Sequence, residues 1–128
     1  MKVFLDTHAF LWAAAGDPRL PKRLVNILAD RKNSLLLSAA SAWEIAIKAR
    51  IGKLHLPQHV AVYLPDRLEK LSIQIVPISL DHVLETASLP LHHGDPFDRL
   101  LIAQSRVENI PIVTGDRHFK KYGVEVLW

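Results

Sequence analysis

The sequence predicts an α/β fold in which a short, mainly parallel sheet is sandwiched by helices, within one domain spanning residues 1–128. Two observations carry this. Short runs of leucine and β-branched residues recur without polar alternation, the mark of strands covered on both faces. Segments with helical spacing separate them, and strands alternating with helices imply right-handed crossovers between parallel strands. At 49% hydrophobic residues, the chain has enough apolar surface for one core.

The first strand is predicted near 2–6, where Asp6 closes the apolar run Val3-Phe4-Leu5. A helix over Thr7–Ala15 follows and ends at Gly16-Asp17-Pro18. The next helix, near 21–31, gathers Leu24, Ile27 and Leu28 on one face. Leu35-Leu36-Leu37 marks a strand over 34–38, and a helix over 42–51 stops at Gly52, a residue suited to a left-handed helix end. Val60, Leu64, Leu68 and Leu71 stand near helical spacing across 58–71. A third strand is placed at 73–78 and short helices at 81–88 and 96–108. The last strands fall at 110–114, on Ile110-Pro111-Ile112-Val113-Thr114, and at 124–127. Strand order is not readable from this pattern.

Cysteine is absent, which removes disulfides, thiolate metal sites and cysteine nucleophiles. The N-terminal Lys2, apolar stretch and Ala13-Ala14-Ala15-Gly16 imitate a secretory signal, but Asp6 and His8 interrupt the apolar core such a signal needs. No segment approaches the roughly 20 apolar residues of a membrane helix. The expectation is a cytoplasmic protein with no membrane partner. A net charge of +3 is a mild basic excess, compatible with a polyanionic partner.

Against that basic background, four acids stand where chemistry concentrates in this fold class. Asp6 follows the first strand, and Glu44 lies early in the helix after the second. Asp98 is in the first turn of a later helix, and Asp116 follows the fourth strand. Ligands of open α/β sheets bind outside the carboxyl ends of the strands. Several carboxylates in one cleft repel each other unless a cation sits among them, so the pattern points to hard Mg²⁺ or Mn²⁺.

Each acid also has a purely structural reading. Asp6 suits a helix N-cap, and Ser41-Ala42-Trp43-Glu44 matches a capping box. Glu44 can pair with Lys48 one turn on. Asp95 suits an N-cap ahead of Pro96, with Asp98 complementing the helix dipole. Gly115-Asp116 reads equally as a turn. Caps and active-site acids share the same sheet edge, so clustering there does not separate the two. Thr7 and Thr114 add hydroxyls beside Asp6 and Asp116.

Other residues read as structural. His92-His93 reads as a surface loop rather than a zinc site, because no H-E-x-x-H or cysteine partner accompanies it. His8 and His118 each lie two residues past a proposed ligand. Trp12, Trp43 and Phe97 are expected to face the core. Lys48, Arg50, Lys53 and Arg99 read as a solvated face or the border of a phosphate path. Leu54, Leu56 and Tyr63 are candidate contact points or core. No phosphate-binding glycine loop, G-x-S-x-G elbow or Ser-His-Asp order is present.

With these residues assembled, the chain resembles the PIN-domain family, in particular the VapC-like ribonuclease toxins of type II toxin–antitoxin systems. The matching segments are Leu5-Asp6-Thr7-His8, the stretch 38–48 around Trp43-Glu44, His93-Gly94-Asp95-Pro96-Phe97-Asp98-Arg99 with its Leu-Ile-Ala continuation, and Thr114-Gly115-Asp116. The resemblance implies a three-layer α/β/α sandwich and Mg²⁺- or Mn²⁺-dependent hydrolysis of RNA. It carries an acidic quartet onto Asp6, Glu44, Asp98 and Asp116, with Asp95 as the alternative to Asp98. It further implies an RNA substrate, a cognate antitoxin and a homodimer. A phospho-acceptor receiver domain is disfavoured because Thr7 and His8 follow Asp6. A haloacid-dehalogenase-like phosphatase needs an acid where His8 stands. A PIN-like protein that binds RNA or acts as a scaffold with little catalysis is the remaining alternative.

Overall fold

The computed structural model describes residues 1–128. In chain order the elements are β1 (Lys2–Leu5), α1 (Thr7–Ala15), α2 (Lys22–Ala29), β2 (Ser34–Ser38), α3 (Ala39–Arg50) and α4 (Val60–Lys70). There follow β3 (Ile73–Val76), α5 (Leu80–Ser88), α6 (Pro96–Glu108), β4 (Ile112–Val113), a short 3-10 helix over Arg117–Tyr122, and β5 (Val126–Leu127). All strand pairings are parallel, in the order β3-β2-β1-β4-β5.

The pleat divides the strand residues between two helical layers. Val3, Leu5, Leu35, Leu37, Ile73 and Val113 pack with Phe10, Leu24, Ile45 and Tyr63 of α1 to α4. Phe4, Leu36 and Ile112 point the other way, against Leu101, Ile102 and Ala103 of α6 and against Phe119 and Tyr122. Alternate strand residues thus feed opposite cores, which is why these strands read as continuous apolar runs. The three-layer expectation holds.

The differences are local. α3 begins at Ala39 rather than 42, because the Ser38 hydroxyl accepts the Ala40 amide and caps the helix as β2 ends. Ser41 therefore lies inside the helix, and the expected capping box is not formed. β3 stops at Val76, ahead of Pro77, and β4 keeps only Ile112–Val113 after Pro111, consistent with the missing N–H of proline. The 3-10 helix was not expected; the Asp116 side chain caps it and Gly123, at φ 74°, ends it.

One burial expectation changes as well, and one open alternative is decided. Trp43 is 62% exposed rather than in the core. Tyr63 is buried at 4%, and Leu54 and Leu56 pack partly buried on the same core, so these three are packing residues. No helix is long and apolar enough to cross a membrane.

Candidate metal centre and its cleft

Strand order decides where a site forms. From β1 the chain moves out through β2 to β3, then crosses back to place β4 on the other side of β1. The reversal lies between β1 and β4, the position where open α/β sheets form a ligand crevice. Asp6 leaves β1 there, and Thr114 and Asp116 leave β4.

A cleft of about 370 Å³ opens at that edge, lined by Asp6, Thr7, His8, Trp12, Glu44, Lys48, Asp95, Asp98, Gly115, Asp116 and Trp128. All four sequence-predicted acids and the alternative Asp95 are brought together. A larger cavity of about 500 Å³ lies between α1, α2 and the sheet, but its lining is mainly apolar and it holds none of these acids.

Asp6 does two things at once. Its backbone is extended at the helix start, and Oδ1 accepts the Ala9 amide at 2.7 Å as an N-cap. Its other oxygen, Oδ2, accepts the Thr114 hydroxyl at 2.5 Å, across neighbouring strands. Burial pushes its carboxyl up from the usual range, opposed by these two hydrogen bonds. Thr114 also accepts the Asp116 amide at 3.0 Å, so one hydroxyl ties the ends of β1 and β4 together.

Glu44 is only 4% exposed. The Thr7 hydroxyl donates to its Oε1 at 2.6 Å, and Lys48 Nζ donates to its Oε2 at 2.5 Å. That hydrogen bond, more than the partial burial that opposes it, raises the Lys48 ammonium above its ordinary value. A carboxylate buried to this degree needs such partners.

The third corner is held differently. Asp95 caps α6, with Oδ1 accepting the amides of Phe97 and Asp98. Asp98 sits in the first turn behind it and is pushed up to about 7, first by burial and then by the negative charge of Asp95, Glu44, Asp6 and Asp116. Asp116 accepts the His118 amide through Oδ1 and turns its other oxygen toward Asp98 and His93.

His93 lies in a loop, as expected, but turns inward onto the cleft acids instead of standing on the surface. Its side chain is 17% exposed, and Nε2 lies 3.2 Å from Asp98 Oδ2 and 3.4 Å from Asp116 Oδ2. The Asp95 amide donates to Nδ1, so the neutral ring carries its proton on Nε2, facing both carboxylates. Ligand atoms of His93, Asp98 and Asp116 lie within 4.8 Å of one another. The available signal was its position two residues before an N-cap, where an imidazole reaches the cap residue's own amide. Arg99 does not border a phosphate path. Its guanidinium donates to the carbonyls of Thr86, Leu89, Pro90 and His93, stapling the loop that carries His93.

The donor set fits a hard divalent cation. Carboxylate oxygens converge on one cleft, burial and their mutual repulsion both show in Asp98, no thiolate competes, and His93 is the one imidazole within reach of Asp98 and Asp116.

Comparison with known proteins identifies the family and the fold. The sequence profile of the PIN domain matches residues 3–125. Ribonuclease VapC16 of Mycobacterium tuberculosis is 51% identical over 69 residues, a match covering 51% of this chain and 48% of that protein, so the shared region spans about half of the relative. Among solved structures, VapBC2 from Rickettsia felis, bound to a DNA fragment from its promoter, superposes with TM-score 0.75 at 18% identity, covering 99% of this chain and 98% of that one. Mycobacterium tuberculosis VapC20, a toxin that cleaves the sarcin–ricin loop, does so with TM-score 0.65 at 18% identity and 95% coverage of each. By its sequence over nearly its whole length, and with a fold to match, the chain belongs to the PIN-domain family.

Proposed function

We propose that this protein is a metal-dependent endoribonuclease, one nuclease domain over residues 1–128, acting as the toxin of a toxin–antitoxin pair. The observation that carries the reading is the convergence of Asp6, Glu44, Asp98 and Asp116 on one cleft at the switch point of the sheet. The half-length similarity to a VapC ribonuclease supports RNA as the substrate.

Asp6 and Asp98 would hold Mg²⁺ or Mn²⁺, with Glu44 and Asp116 positioning water around it. When bound, such a cation lowers the pKa of water and neutralises charge developing on the phosphate oxygens. The chain's own residues do the rest. Thr7 and Lys48 hold the Glu44 carboxylate in one orientation, and Thr114 and the Ala9 amide do the same for Asp6. Lys48 keeps unused N–H donors at the cleft wall, where they can meet a non-bridging phosphate oxygen. The reaction is attack of water on phosphorus with breakage of one P–O ester bond. It needs no protein nucleophile, in keeping with a cleft of acids and hydroxyls.

The decisive test is incubation with total cellular RNA in Mg²⁺, Mn²⁺ or EDTA, beside Asp98→Asn and Asp95→Asn. Metal-dependent cleavage that falls roughly 100-fold or more in Asp98→Asn and survives in Asp95→Asn is expected. The reverse pattern moves the third ligand to Asp95. RNA bound but never cleaved under any metal favours the binding or scaffold reading.

Two partners belong to the same proposal. Several structural relatives are toxin–antitoxin complexes, which supports a cognate antitoxin. A homodimer is supported by the exposed apolar row Leu80, Val83 and Leu84 along α5. Sedimentation of wild type as a dimer and of Leu84→Glu as a monomer is expected; a wild-type monomer removes this part.

A further inference from the structure

We infer that Trp128, seated beside Trp12, forms a subsite for an unpaired nucleobase on the wall of the acidic cleft, an inference that rests on the ribonuclease reading. The two tryptophans are the hydrophobic members of the cleft lining; the other residues are acids, hydroxyl, imidazole, ammonium and glycine. Their ring centroids are 6.0 Å apart with planes at 53°. Both residues pack partly buried against the core beneath and keep part of their surface open on the cleft side.

The position of Trp128 is specified by its neighbours. Its ring lies directly on the backbone of Gly115, where an added Cβ would meet Cε2 and Cζ2 at 2.8 and 2.9 Å. Gly115 is not among the positive-φ residues. The missing side chain there serves the approach of the ring and not a left-handed backbone. Gly115 directly precedes Asp116, so the same turn seats the ring and presents a carboxylate. Trp12 is flanked by His8 at 6.0 Å and by the Arg19 guanidinium at 4.8 Å from its centroid. The guanidinium covers one face of Trp12, which makes Trp128 the principal aromatic surface beside the acids and Trp12 its support.

The two halves of the cleft match the two halves of a nucleotide. The acidic side, where Asp6 and Asp98 would hold a cation, suits the phosphate, and the aromatic side offers a face to a base splayed from a single strand. Stacking of this kind accepts any base, because every base has a π face. Sequence-specific RNA recognition commonly uses such splayed bases. The subsite thus selects unpaired over paired RNA at the cleavage point.

The test is the affinity of a short oligoadenylate against an abasic ribose–phosphate chain of equal length, both with Ca²⁺, for wild type, Trp128→Ala, Trp128→Phe and Gly115→Ala. Wild type should prefer the base-bearing chain by roughly tenfold, with quenching of tryptophan fluorescence. Trp128→Ala should bring the two affinities together, and Trp128→Phe should restore most of the preference. Gly115→Ala, which displaces the ring and leaves its chemistry intact, should weaken it. Thermal melts separate lost stacking from lost folding, and Trp128→Phe reads the subsite even where the alanine variant is unstable. Equal preference in wild type and Trp128→Ala overturns the inference. A wild type that cleaves total RNA yet shows no base preference loses the subsite and keeps the ribonuclease; one that neither cleaves nor binds RNA loses both.

Discussion

Asp6 and Asp98 face the same cleft in opposite conditions. Asp6 is the more buried, at 7% exposure, yet each of its oxygens has a donor, from the Ala9 amide and the Thr114 hydroxyl. Asp98 is more open, with 23% of its side chain exposed, and has His93 at 3.2 Å among four other carboxylates. The first corner is a rigid template built into the junction of β1, α1 and β4. The second is loaded with repulsion that a cation relieves. Both acids are pushed up first by burial; what separates them is that two close donors offset it at Asp6, while neighbouring carboxylates add to it at Asp98.

The largest effect should come from breaking the template side. Thr114→Val keeps the shape and removes the hydroxyl that ties Asp6 to the Asp116 amide. A buried carboxylate loses a donor and a backbone amide loses its acceptor, at a cost of about 1–3 kcal/mol. Urea unfolding of the metal-free protein measures it. A change below a few tenths would show that the Thr114 link is not holding the two strand ends.

The loaded side should respond in the opposite direction. Asp98 has its folded-state pKa raised from 3.8 to about 7, so the folded metal-free protein holds a proton there that the unfolded chain has released. Between these values stability falls as pH rises, and the contribution of the protonated group is gone above about 7. Asp98→Asn should therefore stabilise the metal-free protein by about 0.5–2 kcal/mol at pH 8, even as it removes cleavage. The gain should shrink toward pH 4. For the wild type, metal affinity should rise with pH through about 7, because the proton and the cation compete for one carboxylate. Melting curves across pH, with and without Mg²⁺, check both statements. A pH-independent gain would mean that the burial and crowding of the Asp98 carboxylate are not its cause.

The smallest effect sharpens the comparison. His93→Ala removes the Nε2 proton that faces Asp98 and Asp116, which should move Asp98 further above about 7. The stability change should stay under about 1 kcal/mol, since both carboxylates keep access to solvent. Carboxyl NMR titration of the metal-free protein reads the shift. An unchanged Asp98 would show that His93 is a bystander.

Much of this architecture is legible in the chain. Unbroken apolar runs announced strands covered on both sides, and the acids after them announced the reactive edge. The capping and metal readings of Asp6 turned out not to be rivals: its two oxygens serve the helix and face the cleft together. Asp95 likewise caps α6 and still lines the site. Glu44 pairs with Lys48 as the i,i+4 spacing suggested, but the capping box around it failed because Ser38 reaches a free amide first.

What escaped the reading depended on contacts distant in sequence. Hydrophobic period and helix punctuation act within a few residues, so they yield elements, caps and the acids that follow strands. Strand order sets Asp6 against Thr114 across 108 positions, and no local pattern encodes such a pairing. The same limit hid His93 between Asp98 and Asp116, turned Arg99 inward onto loop carbonyls, left Trp43 in solvent and laid Trp128 on Gly115. Each is a choice between a local preference and a partner that only folding brings near, and the energy of that partner enters when the sheet closes.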